Sequence, residues 1–301
     1  MKCIIPLLSV LTVAISSALG GSALDKKDHP LGVCDWSIGK TQNPEAFDFA
    51  EKLGFDGVQV SFNGGAFDLR DKMVRDQFRA KVKETGVGMA SLAMGCLNGV
   101  PYSSDPNAEK WVSEVLDVMI LMEKEAKLIE DQQLADRVRP KIVLLAFFGK
   151  GDIKNKPDLT AEVIRRLKKV APKAEKHGLT LGLETWLSAD ELLKILQAVD
   201  SPAVKVYYDV ANAHKMGYDI DQEIKKLGTD HICQIHFKEH GVVLGNGEID
   251  FLRLKKRIDS IGYKGWIIAE KATDKKLGIE KSFQLNQQFM RHLFYGKPSH
   301  R

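Results

Sequence analysis

With 44% hydrophobic and 28% charged residues in 301, the chain has the make-up of a globular protein with a substantial core, and its length admits one large domain or two smaller ones. Its 44 basic and 40 acidic residues leave a net charge of +4 with no long basic block, so charge gives no ground for nucleic-acid binding.

At the N-terminus, Lys2 precedes an apolar run from Ile4 to Leu19, followed by the small residues G-G-S-A ending at Ala23. This predicts a secretory signal peptide over 1–23, cleavage near Ala23, and an exported, periplasmic single domain over 24–301. A permanent anchor is the competing reading. The run is short for a membrane span and is interrupted by Pro6, Ser9, Thr12, Ser16 and Ser17, so no anchor is expected after cleavage. Cys3 lies at the front of the apolar run, where a lipoprotein cysteine would not be. The remaining cysteines, Cys34, Cys96 and Cys233, are an odd, scattered set with neither a disulfide framework nor a C-x-x-C pair.

Beyond residue 31, short β-rich runs alternate with longer helical patterns. Strands are predicted over 31–37, 57–62, 88–94, 141–148, 179–186, 204–210, 231–238 and 265–271. Between the third and fourth, Val112, Val115, Leu116, Met119, Met122, Ala126 and Ile129 recur at three- and four-residue steps through 107–130, the core-facing stripe of a helix. K-E-T-G at 83–86 and K-H-G at 176–178 read as helix ends, and Asp250 as the cap of a helix after the G-N-G-E turn. Eight βα repeats without a linker favour a closed (β/α)8 TIM barrel over a doubly wound open sheet.

In such a barrel the functional residues lie at the C-terminal strand ends. Strand five ends in Glu184, six in Asp209, seven in His236 and eight in Glu270. Period-two alternation turns each of the four away from its apolar neighbours and into the barrel mouth. Three carboxylates and an imidazole crowded together repel unless a cation or shared protons compensate. One divalent metal is the economical solution: Mn, Mg, Co or Fe suit the oxygen and nitrogen set, with Zn also possible.

These residues sit within stretches that resemble the sugar phosphate isomerase/epimerase family of xylose isomerase-like barrels: G-F-D-G-V-Q-V (54–60), L-E-T (183–185), Y-D-V-A-N (208–212), H-F-K-E (236–239), G-N-G-E-I-D-F (245–251) and G-Y-K-G-W-I-I-A-E (262–270). The resemblance spans about 31–295. It implies that Glu184, Asp209, His236 and Glu270 match the metal ligands of the ketose 3-epimerases, where the two glutamates also exchange the substrate proton. The related endonuclease IV barrels use further histidines. Here strand two ends in S-F-N-G and strand four in A-F-F-G, and Asn212 stands where a D-x-x-H pattern would have histidine, which argues against DNA repair.

Lys238 is a candidate catalytic residue, facing substrate to steady a developing enolate, or else a solvated strand-end lysine. Trp36 and Trp186 could form platforms for a sugar ring or pack in the core; they join Asn212 as candidate substrate contacts. Lys150, His214 and His240 lie in loops near the expected mouth. The chemistry expected is metal-dependent isomerisation or epimerisation of a small carbohydrate, a keto sugar or polyol, through carbon-proton abstraction by Glu184 or Glu270 and an enediolate. Export makes a lyase or hydratase acting on 3-keto-glycosides or 2-hydroxy-glucal products the alternative, and a non-catalytic, metal-containing sugar-binding barrel a third.

Overall fold

The computed structural model describes residues 29–296; the predicted signal segment lies outside them. Eight strands, β1 (Leu31–Cys34), β2 (Gly57–Ser61), β3 (Gly88–Met94), β4 (Ile142–Ala146), β5 (Thr180–Glu184), β6 (Val204–Asp209), β7 (Ile232–Phe237) and β8 (Ile267–Ala269), pair in sequence order. All pairings are parallel, and Leu31 opposite Ile267 closes the ring. The TIM barrel expected from the sequence is therefore the fold.

Among the described residues ten helices wrap it: α1 (Ala46–Leu53), α2 (Lys72–Thr85), α3 (Pro106–Ala126), α4 (Gln132–Arg137), α5 (Pro157–Lys176), α6 (Ala189–Val199), α7 (Val210–Lys215), α8 (Ile220–His231), α9 (Phe251–Ser260) and α10 (Gly278–Tyr295). Their ends follow from local chemistry. α2 stops at the left-handed Gly86, and the Asp250 carboxylate accepts the Arg253 N–H at 2.9 Å to start α9. The 107–130 stripe is buried from Val112 through Ala126. Ile129 belongs instead to the turn before α4. Among the described residues no helix is long and apolar enough to cross a membrane.

Strand ends differ from expectation where the chain turns into loops. β1 stops at Cys34, and Asp35–Ile38 form a 3-10 turn, so Trp36 rides on a turn rather than a strand. β7 carries a further correction. Val206 pairs with Ile232 and Tyr207 with Gln234, so Cys233 is an extra, bulged residue. It does not join the outward row of Ile235 and Phe237 but packs beside Ala93, Leu144, Ala146 and Tyr207.

The outward row of β7 packs on helices, with the Phe237 ring 5.0 Å from Phe251. The inward row, Gln234, His236 and Lys238, is polar and buried. Two glycines let the opposite end of the barrel close. A Cβ on Gly57 would lie 2.5 Å from the Trp266 indole, and one on Gly32 2.4 Å from Ile268. Large side chains from β8 and the loop before it thus plug the bottom, leaving polar residues to line the top.

Candidate active site

The ends of β5 to β8 bring Glu184, Asp209, His236 and Glu270 together, with one ligand-type atom from each within 4.8 Å of all the others. They are 6, 5, 0 and 5% exposed, so water does little to screen their charges. His236 Nδ1 faces all three acids, at 2.9 Å from Glu184 Oε1, 3.6 Å from Glu270 Oε2 and 3.9 Å from Asp209 Oδ2. Its Nε2 points the other way, 2.7 Å from Gln59 Oε1. Burial works against a charged ring, but Glu184, Glu270 and Asp209 outweigh it and hold the His236 pKa above its ordinary value.

Each of two carboxylates has one oxygen engaged outside the cluster. Asp209 Oδ1 accepts the N–H groups of Ala211 and Asn212, both at 2.8 Å, and so caps α7. Glu270 Oε1 accepts the Trp36 indole N–H at 3.2 Å. Their second oxygens face inward and meet Lys238, whose Nζ lies 3.1 Å from Asp209 Oδ2 and 2.9 Å from Glu270 Oε2. The latter contact is close but misaligned, leaving Glu270 Oε2 without a hydrogen bond. Lys238 Nζ also lies 3.4 Å from Asn212 Oδ1.

The two acids sharing this ammonium titrate apart. Burial raises the Asp209 pKa although Lys238 opposes the rise. Glu270 is held well below the usual carboxylate range because Lys238 and His236 outweigh its burial.

The donor set fits a divalent ion. Three carboxylates gather about one imidazole, an inward oxygen lacks a hydrogen bond, and Nδ1 is the nitrogen turned toward the oxygens. No thiolate joins them: Cys34 Sγ lies 3.5 Å from Nε2, on the far side of the ring. Oxygen and nitrogen donors of this kind suit Mn, Mg, Co, Fe or Zn.

The other expected residues divide. Trp36 stands edge-on to His236, with ring centroids 6.2 Å apart, and is half-buried at the mouth. Trp186, two residues beyond Glu184, packs against Phe148 at 5.0 Å and carries Lys215 over its face at 5.0 Å. Asn212 is buried against Lys238. Lys150 and His240 are exposed, and His214 lies 3.9 Å from Glu248 rather than in the cluster.

Gln59 was not anticipated as a site residue, yet its position was readable: in V-Q-V of β2 the middle residue alternates inward. Asp35 is the second omission. Fully buried, it accepts hydrogen bonds from Ser61 Oγ at 2.6 Å, Ser61 N at 2.7 Å and Gln42 N at 2.8 Å, which fixes the turn bearing Trp36.

A closed parallel barrel with acidic and imidazole groups gathered at the C-terminal mouth defines a (β/α)8 protein with an enzyme-like site. The chain belongs to the xylose isomerase-like TIM barrel family, whose model matches residues 47–293. It is similar to SgbU of Escherichia coli (strain K12), a candidate L-ribulose-5-phosphate 3-epimerase, at 24% identity over 83% of this chain and 91% of that one. It is also similar to a 2-epi-5-epi-valiolone 7-phosphate 2-epimerase of Actinoplanes sp. (strain ATCC 31044 / CBS 674.73 / SE50/110), at 26% identity over 69% and 72% of the two chains. The D-psicose 3-epimerase of Clostridium cellulolyticum H10 superposes with a TM-score of 0.68 at 18% identity, covering 88% of this chain and 99% of that one, which shows the shared fold.

Proposed function

We propose that the protein is a metal-dependent sugar epimerase acting on a keto sugar or related polyol. The observation that carries this reading is the convergence of Glu184 and Glu270, from strands separated by β6 and β7 on the ring, with Asp209 and His236 between them. The epimerase names of its curated relatives support the same class.

Glu184, Asp209, His236 and Glu270 would hold the divalent ion, which supplies Lewis-acid polarisation of the substrate carbonyl. Glu184 and Glu270 approach from different sides of the mouth. One takes the proton from the carbon beside the carbonyl and the other returns it from the opposite face, which inverts that carbon. Lys238 adds positive charge where the enediolate oxygens develop. Trp36 anchors Glu270 through Oε1, keeping its other oxygen turned inward, and with Trp186 offers an aromatic wall to the sugar.

Proton NMR of metal-loaded protein with a panel of keto sugars in D2O tests this. Wild type is expected to place deuterium at the carbon beside the carbonyl and to form the epimer. Glu184→Gln and Glu270→Gln, compared at saturating metal, should each slow exchange by about 10² to 10⁴. Undiminished exchange in either variant removes that glutamate from the mechanism. Turnover without deuterium uptake removes the mechanism itself, and an unsaturated or hydrated product would redirect it to elimination or hydration.

A further inference from the structure

Lys238 is buried inside the site, 8% exposed, rather than displayed at its rim. Three oxygens surround its ammonium: Glu270 Oε2 in ion-pair contact at 2.9 Å, and Asp209 Oδ2 at 3.1 Å and Asn212 Oδ1 at 3.4 Å as hydrogen-bond acceptors. The first two are the oxygens that Asp209 and Glu270 present toward His236 Nδ1. Their other oxygens are committed, that of Asp209 to two backbone N–H groups at the start of α7 and that of Glu270 to the Trp36 indole. Neither carboxylate therefore has a second free oxygen with which to serve an incoming ion while keeping Lys238.

We propose that Lys238 is a tethered cation that competes with the divalent ion for Asp209 and Glu270, so that the protein holds its metal loosely and exchangeably. The proposal rests on the reading of the four-residue cluster as a metal site. It predicts that the ion and the ammonium are alternative partners of the same two oxygens, and that removing the lysine charge tightens binding.

Titration of the full chain with Mn2+, following free Mn2+ by electron paramagnetic resonance, tests it. Lys238→Gln and Lys238→Met both remove the charge, one keeping a polar end and the other the stem, so either suffices if it melts cooperatively. Each should bind Mn2+ roughly ten- to a thousand-fold more tightly than wild type, the effect of one like charge at this range. Lys215→Gln, which removes an exposed lysine above Trp186, should change affinity by no more than about twofold, because solvent screens it. Unchanged or weaker binding in a folded Lys238 variant, with wild type binding normally, overturns the competition and leaves the metal site standing. An equal gain in Lys215→Gln also overturns it, since the effect would then be one of general charge. Absence of Mn2+ uptake in wild type and variants alike overturns the metal reading, and this proposal with it.

Discussion

At the scale of single residues, the four strand-end groups were legible because alternation and chain order place them without knowledge of any contact. Glu184, Asp209, His236 and Glu270 needed only the position of each strand's last inward residue. The partners of those residues were less legible. That Asp209 caps α7 as well as facing the cluster depends on the turn into α7, which no period encodes. Asp35 is such a case, and it yields a pH prediction. Burial raises its carboxyl to about 6, against the opposing hydrogen bonds of Ser61, Gln42 and Trp36. A folded-state pKa above the unfolded value of about 3.9 means that the folded protein binds the proton more tightly. This contribution therefore favours folding most below about pH 4, declines as the pH rises through 6, and is level above that. Asparagine fits the same partners, its Oδ1 accepting from Gln42 N and Ser61 N and its Nδ2 donating to Ser61 Oγ. Asp35→Asn should flatten the decline between pH 4 and 6 and raise stability at pH 8 by up to about 3 kcal/mol. Denaturant unfolding at pH 4, 6 and 8 measures it, and a variant with the wild-type slope would show that Asp35 ionises freely.

The elements themselves were found more readily than their ends. All eight strands lie where hydrophobic runs and β-rich composition put them, but β1 is cut short at Cys34 because the Asp35 carboxylate gathers the backbone of Gln42 and Ser61 into a turn. The bulge at Cys233 was invisible for a related reason: a single inserted residue leaves the composition of β7 unchanged while reversing the facing of what precedes it. Gly57 shows how an element can depend on an absent side chain. Its neighbours on β2 are ordinary strand residues, and the Trp266 indole is the nearest group to where a Cβ on position 57 would lie. Gly57→Ala would set a methyl 2.5 Å from the indole and 3.0 Å from the Gly88 carbonyl oxygen, so either β2 or Trp266 must shift. We expect a loss of about 1–3 kcal/mol, the usual cost of overpacking a filled core. Thermal unfolding checks it, and Gly57→Ala combined with Trp266→Phe should recover part of the loss if the indole is the obstacle. No recovery would assign the cost to the β2 backbone.

For the molecule as a whole, repeated βα units without a break in composition were enough to specify a closed barrel, because a parallel sheet must be covered by its crossover helices and eight such units can close it. The chemistry then follows from an asymmetry of the barrel: indole and aliphatic groups fill one end, while charged groups occupy the other. Such a design separates stability from function. The apolar core and the helix shell hold the fold, and Lys238 offsets part of the acidic charge at the mouth when no ion is bound. The proposed metal is thus expected to adjust stability rather than to create it. At an ion concentration about a hundredfold above Kd, binding adds about 2.7 kcal/mol, or roughly 5 °C in melting temperature for a domain of this size. Treatment with a chelator should therefore lower Tm by several degrees while leaving the helical circular dichroism signal and a single cooperative transition intact. Loss of the cooperative transition on chelation would instead make the ion a structural member of the fold, because Lys238 would then be insufficient to hold the ends of β6 and β8 together.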